Sequence, residues 1–190
     1  MRVTASGGEA TLQADFVALF FAALRARGIA TALDTCGQCS REALKKILPY
    51  SNMVLYDLKE IDPARHRRFT GVDNQVILDN LLFVRDAVLA AGDPRELWIR
   101  TPIIPGATAV EENIRGIGRF IADNMAGTVA RRDLCAFNNL CRDKYARLGL
   151  DWEFKGAELI DEPTLSALKA AAETSGVDPQ IVRASGVVKR

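Results

Sequence analysis

What this chain lacks excludes several functions at the outset. Its only histidine is His66, and one histidine cannot make a zinc site by itself. Charge of one sign is missing too: 25 basic residues face 24 acidic ones, so no electrostatic footprint for nucleic acid is visible. No apolar run approaches the roughly 20 residues that span a bilayer, which argues against a membrane protein. The N-terminus does not read as a signal peptide, because Arg2 leads into a strand-like run instead of an apolar helix. A cytoplasmic location is therefore expected, where the four cysteines, Cys36, Cys39, Cys135 and Cys141, should be reduced. Nothing stands ahead of that first strand, which suggests a chain cut out of something longer.

What remains is an ordinary globular composition, 48% hydrophobic and 26% charged, at a length of 190 residues that suits one domain. Apolar residues at helical spacing, Phe16, Leu19, Phe20, Ala23 and Leu24, predict a helix over 13–27 ended by Gly28. Strand-like runs are expected at 3–6, 30–34, 53–56, 97–104 and 129–137, although Arg131-Arg132-Asp133 weakens the last. Met53-Val54-Leu55-Tyr56 is apolar on both faces, as in a buried parallel strand. Between these runs, helices are expected over 41–48, around 77–89 and around Ile114, Ile117 and Ile121, and a last one over 161–175 with Pro163 in its first turn. Strands alternating with helices imply right-handed crossovers and a parallel sheet. Five such units are too few for a closed eight-stranded barrel, so the fold class is α/β, an open or partial parallel β/α barrel. Residues 1–190 form one domain, with barrel units to about 140 and a C-terminal extension over 141–190.

Polar chemistry gathers where strands are expected to end. Val3 to Ser6 runs into Gly7-Gly8-Glu9, where glycine lets a ligand approach the main chain and a carboxylate stands at the rim. The plain alternative is a βα turn in which Glu9 favours the helix N-terminus. Asp34-Thr35, Asp57-Leu58-Lys59, Arg100 and Asn138-Asn139 close the other strands, on one mouth of the sheet.

Taken together, Thr4-Ala5-Ser6-Gly7-Gly8-Glu9, Leu33-Asp34-Thr35, Tyr56-Asp57-Leu58-Lys59, Thr70-Gly71-Val72-Asp73-Asn74, Trp98-Ile99-Arg100 and Ile104-Pro105-Gly106 resemble the activating enzymes of glycyl radical enzymes. These belong to the radical S-adenosylmethionine superfamily, and the resemblance, of the pyruvate formate-lyase activating type, covers about three quarters of the chain. It implies a partial barrel with S-adenosylmethionine across the strand ends beside a [4Fe-4S] cluster. By that resemblance Gly7, Gly8 and Glu9 contact the amino end of the methionyl group, and Lys59 and Arg100 face its carboxylate. Asp34, Thr35 and Asp57 resemble the oxygen ligands of a monovalent cation. In the family a 5′-deoxyadenosyl radical from the cleaved sulfonium removes a hydrogen from a glycine Cα of the partner, a glycyl radical enzyme of anaerobic metabolism. The electron donor is a flavodoxin or ferredoxin. The cofactor carries the hard chemistry, and the protein supplies orientation and electrostatics.

Two departures stand out. The family's cluster is held by a C-x3-C-x2-C loop ahead of the Gly-Gly-Glu strand, and all four cysteines here lie downstream of it. By that mechanism the chain should be inert, a C-terminal portion lacking the first βα unit, with the Val3 to Ser6 strand as an unpaired edge. Secondly, where the family places a histidine near the adenosine, this chain has Asn138, which bonds but does not titrate near neutral pH.

Three further features have competing readings. Cys36-Gly37-Gln38-Cys39 has dithiol spacing, and incidental small loop residues are the favoured account. A four-thiolate site with Cys135 and Cys141 is the remote alternative. Arg65-His66-Arg67-Arg68 reads as solvated surface, or as a docking patch for an acidic segment. Lys59, taken without the family, could be a Schiff-base lysine of a lyase. A non-catalytic module that binds only the cofactor or the partner is the third possibility.

Overall fold

A computed structural model describes residues 1–90, 92–125 and 127–189. Six strands form one parallel sheet in sequence order: β1 (Arg2–Ala5), β2 (Ala30–Thr35), β3 (Met53–Asp57), β4 (Glu96–Ile103), β5 (Val129–Ala136) and β6 (Val182–Ser185). The helices are α1 (Ala14–Arg25), α2 (Arg41–Ile47), α3 (Pro63–Thr70), α4 (Gln75–Leu89), α5 (Glu111–Asn124), α6 (Arg142–Arg147) and α7 (Glu162–Glu173).

Because each strand pairs with its neighbour in sequence, crossovers of one hand lay the covering helices on a single face of the sheet. β4 shows the result. Leu97, Ile99, Thr101 and Ile103 are buried, while Glu96, Trp98, Arg100 and Pro102 between them are only partly covered. The covered face packs Leu33, Val54, Tyr56, Leu97, Ile99 and Leu134 against Phe21, Leu44, Leu81, Ile114 and Ile117. The opposite face is the open side of the partial barrel and carries Asp34, Asp57, Arg100 and Asp133.

Local chemistry sets the helix starts. Ser40, Asp62 and Asp161 accept from the backbone N–H groups of Ala43, Arg65 and Thr164, and Pro63 and Pro163 fill first-turn positions. At the other edge, α7 closes against α5 through Arg132. This side chain is 0% exposed, donates to Ser175 Oγ and Ile114 O, and burial pushes its guanidinium down to about 10. Gly118 is required there, since a Cβ would collide with Ser175 and Arg132.

Several boundaries differ from the sequence expectation. The sheet has a sixth strand, β6, drawn from the stretch read as an extension. The Arg65-His66-Arg67-Arg68 stretch, read as solvated surface, lies in α3, and His66 is buried there with Nδ1 2.7 Å from Val72 O. Helix α3 escapes a periodicity search because His66 is its only buried residue. Helix α6 has none. The edge position expected for the first strand is observed: β1 pairs with β2 alone.

Candidate active site

The C-terminal ends of β1 to β4 bring most of the sequence-selected residues together. Beyond β1, Gly7 and Gly8 take positive φ of 93° and 54°, with open space where a Cβ would stand. Two consecutive left-handed residues are inexpensive only for glycine, so main chain is presented bare at this lip.

Glu9 then turns back into the protein. Its Oε1 accepts from Thr11 N at 3.2 Å, Thr11 Oγ1 at 2.7 Å and Thr35 Oγ1 at 2.8 Å, and its Oε2 accepts from Cys36 N at 2.9 Å. Burial pushes this carboxyl up, and the hydrogen bonds from Cys36, Thr11 and Thr35 outweigh it and hold the carboxyl below its ordinary value. Glu9 therefore does what the turn reading requires, capping the following helical turn, and it also staples the β1 loop to the β2 loop.

Arg100 is the second hub. Its Nη2 lies 2.5 Å from Asp34 Oδ1 and 2.6 Å from Asp57 Oδ1, and its Nε donates to Asp57 at 2.8 Å. Burial disfavours the guanidinium charge, and the Asp57 and Asp34 carboxylates more than restore it. Ser6 Oγ donates to Asp34 Oδ2 at 2.9 Å, and Lys59 Nζ stands 3.5 Å from Asp57 Oδ2. Two carboxylates and two cations thus form one charge-balanced patch across β2, β3 and β4. Thr35 is not part of it: its hydroxyl donates to Glu9 and accepts from Gly37 N.

Asn138 stands outside this network. It is exposed two residues beyond β5, and its Oδ1 accepts from Leu140 N at 3.2 Å. Cys36, Cys39 and Cys135 are half-buried, and burial pushes all three thiols up, so they are held as thiols. Sequence reasoning missed Asp133, buried on the open face beside Arg100 in the β4–β5 register. Its Oδ2 pairs with Arg131 at 2.7 Å, and Oδ1 has no partner among the described residues. Asn113, which holds the loop bearing Lys59, was missed as well.

The residues present fit one of the two groups that a radical fold implies. An open glycine backbone beside two cations suits an amino-acid-like ligand with an ammonium and a carboxylate. For an iron–sulfur cluster they do not: among the described residues, no group of three or more His, Cys, Asp or Glu side chains is placed to hold a metal ion. Between Asp34 and Asp57, where a small cation could sit, the Arg100 guanidinium already bridges both carboxylates.

Comparison with known proteins agrees with the fold. The Radical SAM superfamily profile matches residues 2–115. The (2S)-3-sulfopropanediol dehydratase activating enzyme of Klebsiella oxytoca is 33% identical over 157 residues, which are 83% of this chain and 48% of that protein. Pyruvate formate-lyase 1-activating enzyme of Escherichia coli is 30% identical over 176 residues, 92% of this chain and 68% of that one. The chain thus spans about half the length of the first of these relatives. A solved domain of a pyruvate-formate lyase-activating enzyme from Bacteroides vulgatus superposes with a TM-score of 0.74 at 24% identity, over 97% of this chain and 98% of that one. From its open six-stranded parallel sheet to its sequence relatives, the chain belongs to the radical SAM superfamily, among the activating enzymes of the pyruvate formate-lyase-activating type.

Proposed function

We propose that this chain is the S-adenosylmethionine-binding part of an activating enzyme whose partner is a glycyl radical enzyme. The observation that carries the reading is the convergence of Asp34, Asp57, Lys59 and Arg100 beside the bare Gly7-Gly8 backbone. Backbone carbonyls at that lip are acceptors for the methionyl ammonium, and Lys59 and Arg100 face its carboxylate. Bound S-adenosylmethionine would supply the hydrogen-abstraction chemistry directed at the partner's glycine. This chain's own share is binding and orientation. Glu9 holds the lip against the β2 loop, and Asp34 and Asp57 fix the Arg100 fork so that little reorganisation is needed on binding.

No electron-transfer step is assigned to these residues, because they offer no thiolate set for a cluster. Reduction by a flavodoxin or ferredoxin and action in the cytoplasm follow from the family and are part of the same proposal; a monovalent cation at Asp34, Thr35 and Asp57 is left out of it, because Arg100 bridges both carboxylates and the Thr35 hydroxyl is engaged by Glu9. Asn138 is assigned the adenosine side of the site on the same ground. The alternative lyase is disfavoured by Asp57, which keeps an anion beside the Lys59 amine. A Schiff-base lysine works in a desolvated or cation-flanked pocket.

Calorimetric titration of S-adenosylmethionine into the parent and into Lys59→Ala tests the site. Measurable heat is expected for the parent, and about tenfold weaker binding without the Lys59 cation. Absence of heat with either protein would remove the proposal.

A further inference from the structure

The segment that carries Lys59 leaves β3 without entering a helix, so its buried backbone groups have no regular partners of their own. Neighbouring chain supplies them. Leu58 N donates to Arg100 O and Leu58 O accepts from Thr101 Oγ1, both at 2.9 Å. Glu60 O and Ile61 O accept from Asn74 Nδ2 at 3.0 and 2.7 Å. Two more, Lys59 O and Ile61 N, fall to Asn113, in the first turn of α5 and only 2% exposed. Its Nδ2 donates to Lys59 O at 2.9 Å and to Thr108 O at 3.3 Å, and its Oδ1 accepts from Ile61 N at 2.9 Å.

We propose that Asn113 is a positioning residue for Lys59. One carboxamide grips the Lys59 backbone from α5 and ties the loop after β3 to the loop after β4, so the Lys59 amine leaves a fixed point beside Asp57. Two donors and one acceptor on a short side chain are what this geometry demands, and asparagine alone among residues of that length supplies them. Asn74 is a natural control, because it braces Glu60 and Ile61 without touching Lys59. The consequence for the cofactor rests on the function proposed above; the placement of Lys59 does not.

The direct test is the acylation rate of each lysine, read by peptide mapping after brief exposure to an N-hydroxysuccinimide acetate. In Asn113→Asp, which keeps the acceptor and removes both donations, Lys59 is expected to react at least about threefold faster than in the parent, because losing the bond to the Lys59 main-chain carbonyl loosens the loop that holds its amine beside Asp57. Asn74→Ser is expected to leave the Lys59 rate within about twofold of the parent, since no bond to Lys59 is lost. Alkylation of half-buried Cys36 and Cys135 should stay at the parent rate, which separates a local change from general loosening. Unchanged Lys59 reactivity in Asn113→Asp overturns the inference, as does an equal rise in Asn74→Ser. Should the aspartate variant not fold, Asn113→Ser is read in its place, since its hydroxyl is too short to span to Lys59 O. A second arm measures S-adenosylmethionine affinity. Asn113→Asp should weaken it about tenfold in the parent and less than twofold in Lys59→Ala, the non-additivity of a residue that acts through another. A parent that binds no S-adenosylmethionine sinks the cofactor reading, while Lys59 acylation still decides the role of Asn113.

Discussion

Glu9 gathers four hydrogen bonds from Thr11, Thr35 and Cys36 onto one half-buried carboxylate, and its ionised form is the one they favour. The sign of the pH dependence follows. A carboxyl held below its unfolded value stabilises the fold above that value, and the contribution is lost as pH falls through the folded one. Glu9→Gln is therefore expected to melt roughly 2–8 °C below the parent at pH 7, about 1–2 kcal/mol for charge-assisted bonds in a domain of this size. The gap should narrow as pH drops below 4.5, the ordinary value for this group. Differential scanning calorimetry across pH 3–8 checks it, and a gap independent of pH would contradict the hydrogen-bond account. At this scale the sequence was legible where a string of residues carried the signal: Gly7-Gly8-Glu9, Asp34, Asp57, Lys59 and Arg100 all stand at strand ends on or beside the mouth. It was illegible where one polar residue sits in an apolar helical pattern. Asn113 lies four residues ahead of Ile117 on the buried side of α5, so spacing marks it as a buried polar residue but does not say which backbone groups its carboxamide holds.

Among the elements, α1 carries the least satisfied surface. Val17 and Phe21 face the core, yet Leu12, Phe16 and Leu19 just before and along the helix are 77%, 64% and 74% exposed, and Phe16 stacks on Phe20 at 5.9 Å. Residues 6–13, with a 3-10 turn at Ala10–Gln13, lead to this helix from the edge strand β1, whose outer backbone groups are unpaired within this sheet. An open strand edge near an apolar stripe invites association with another chain. The isolated chain is expected to self-associate at tens of micromolar, on the order of the concentrations at which exposed edges aggregate. Phe16→Ser combined with Leu19→Ser should return it to monomer in sedimentation velocity. A parent that stays monomeric, or a double variant that associates equally, would count against this surface. The long, one-sided helices were readable because burial and periodicity coincide in them. Helices α3 and α6 and strand β6 were not: the helices bury one residue or none, and the strand is four residues long.

For the molecule as a whole, the last fifty residues decide whether the sheet holds together. Val182 of β6 is buried, α7 packs Leu165, Leu168 and Ala172 into the common core, and Ser175 receives the buried Arg132 guanidinium of β5. A chain ending at residue 140 would remove β6 and α7 and uncover the core that Leu165, Leu168 and Val182 help to close, at about 1.5–3 kcal/mol for each buried aliphatic side chain lost. Such a truncation is expected to show no cooperative thermal transition by circular dichroism, where the full chain shows one. A sharp melt of the shortened chain would make 141–190 a dispensable appendage. The sequence expectation of a single parallel sheet was met because alternating strand and helix leaves few other solutions; which face stays uncovered emerged only with the strand order.

That order, in which every strand lies next to the one made just before it, also bears on synthesis. Each new hairpin-sized unit emerging from the ribosome finds its docking rung already laid down, so assembly can proceed from the first rung to the last without waiting for a distant partner.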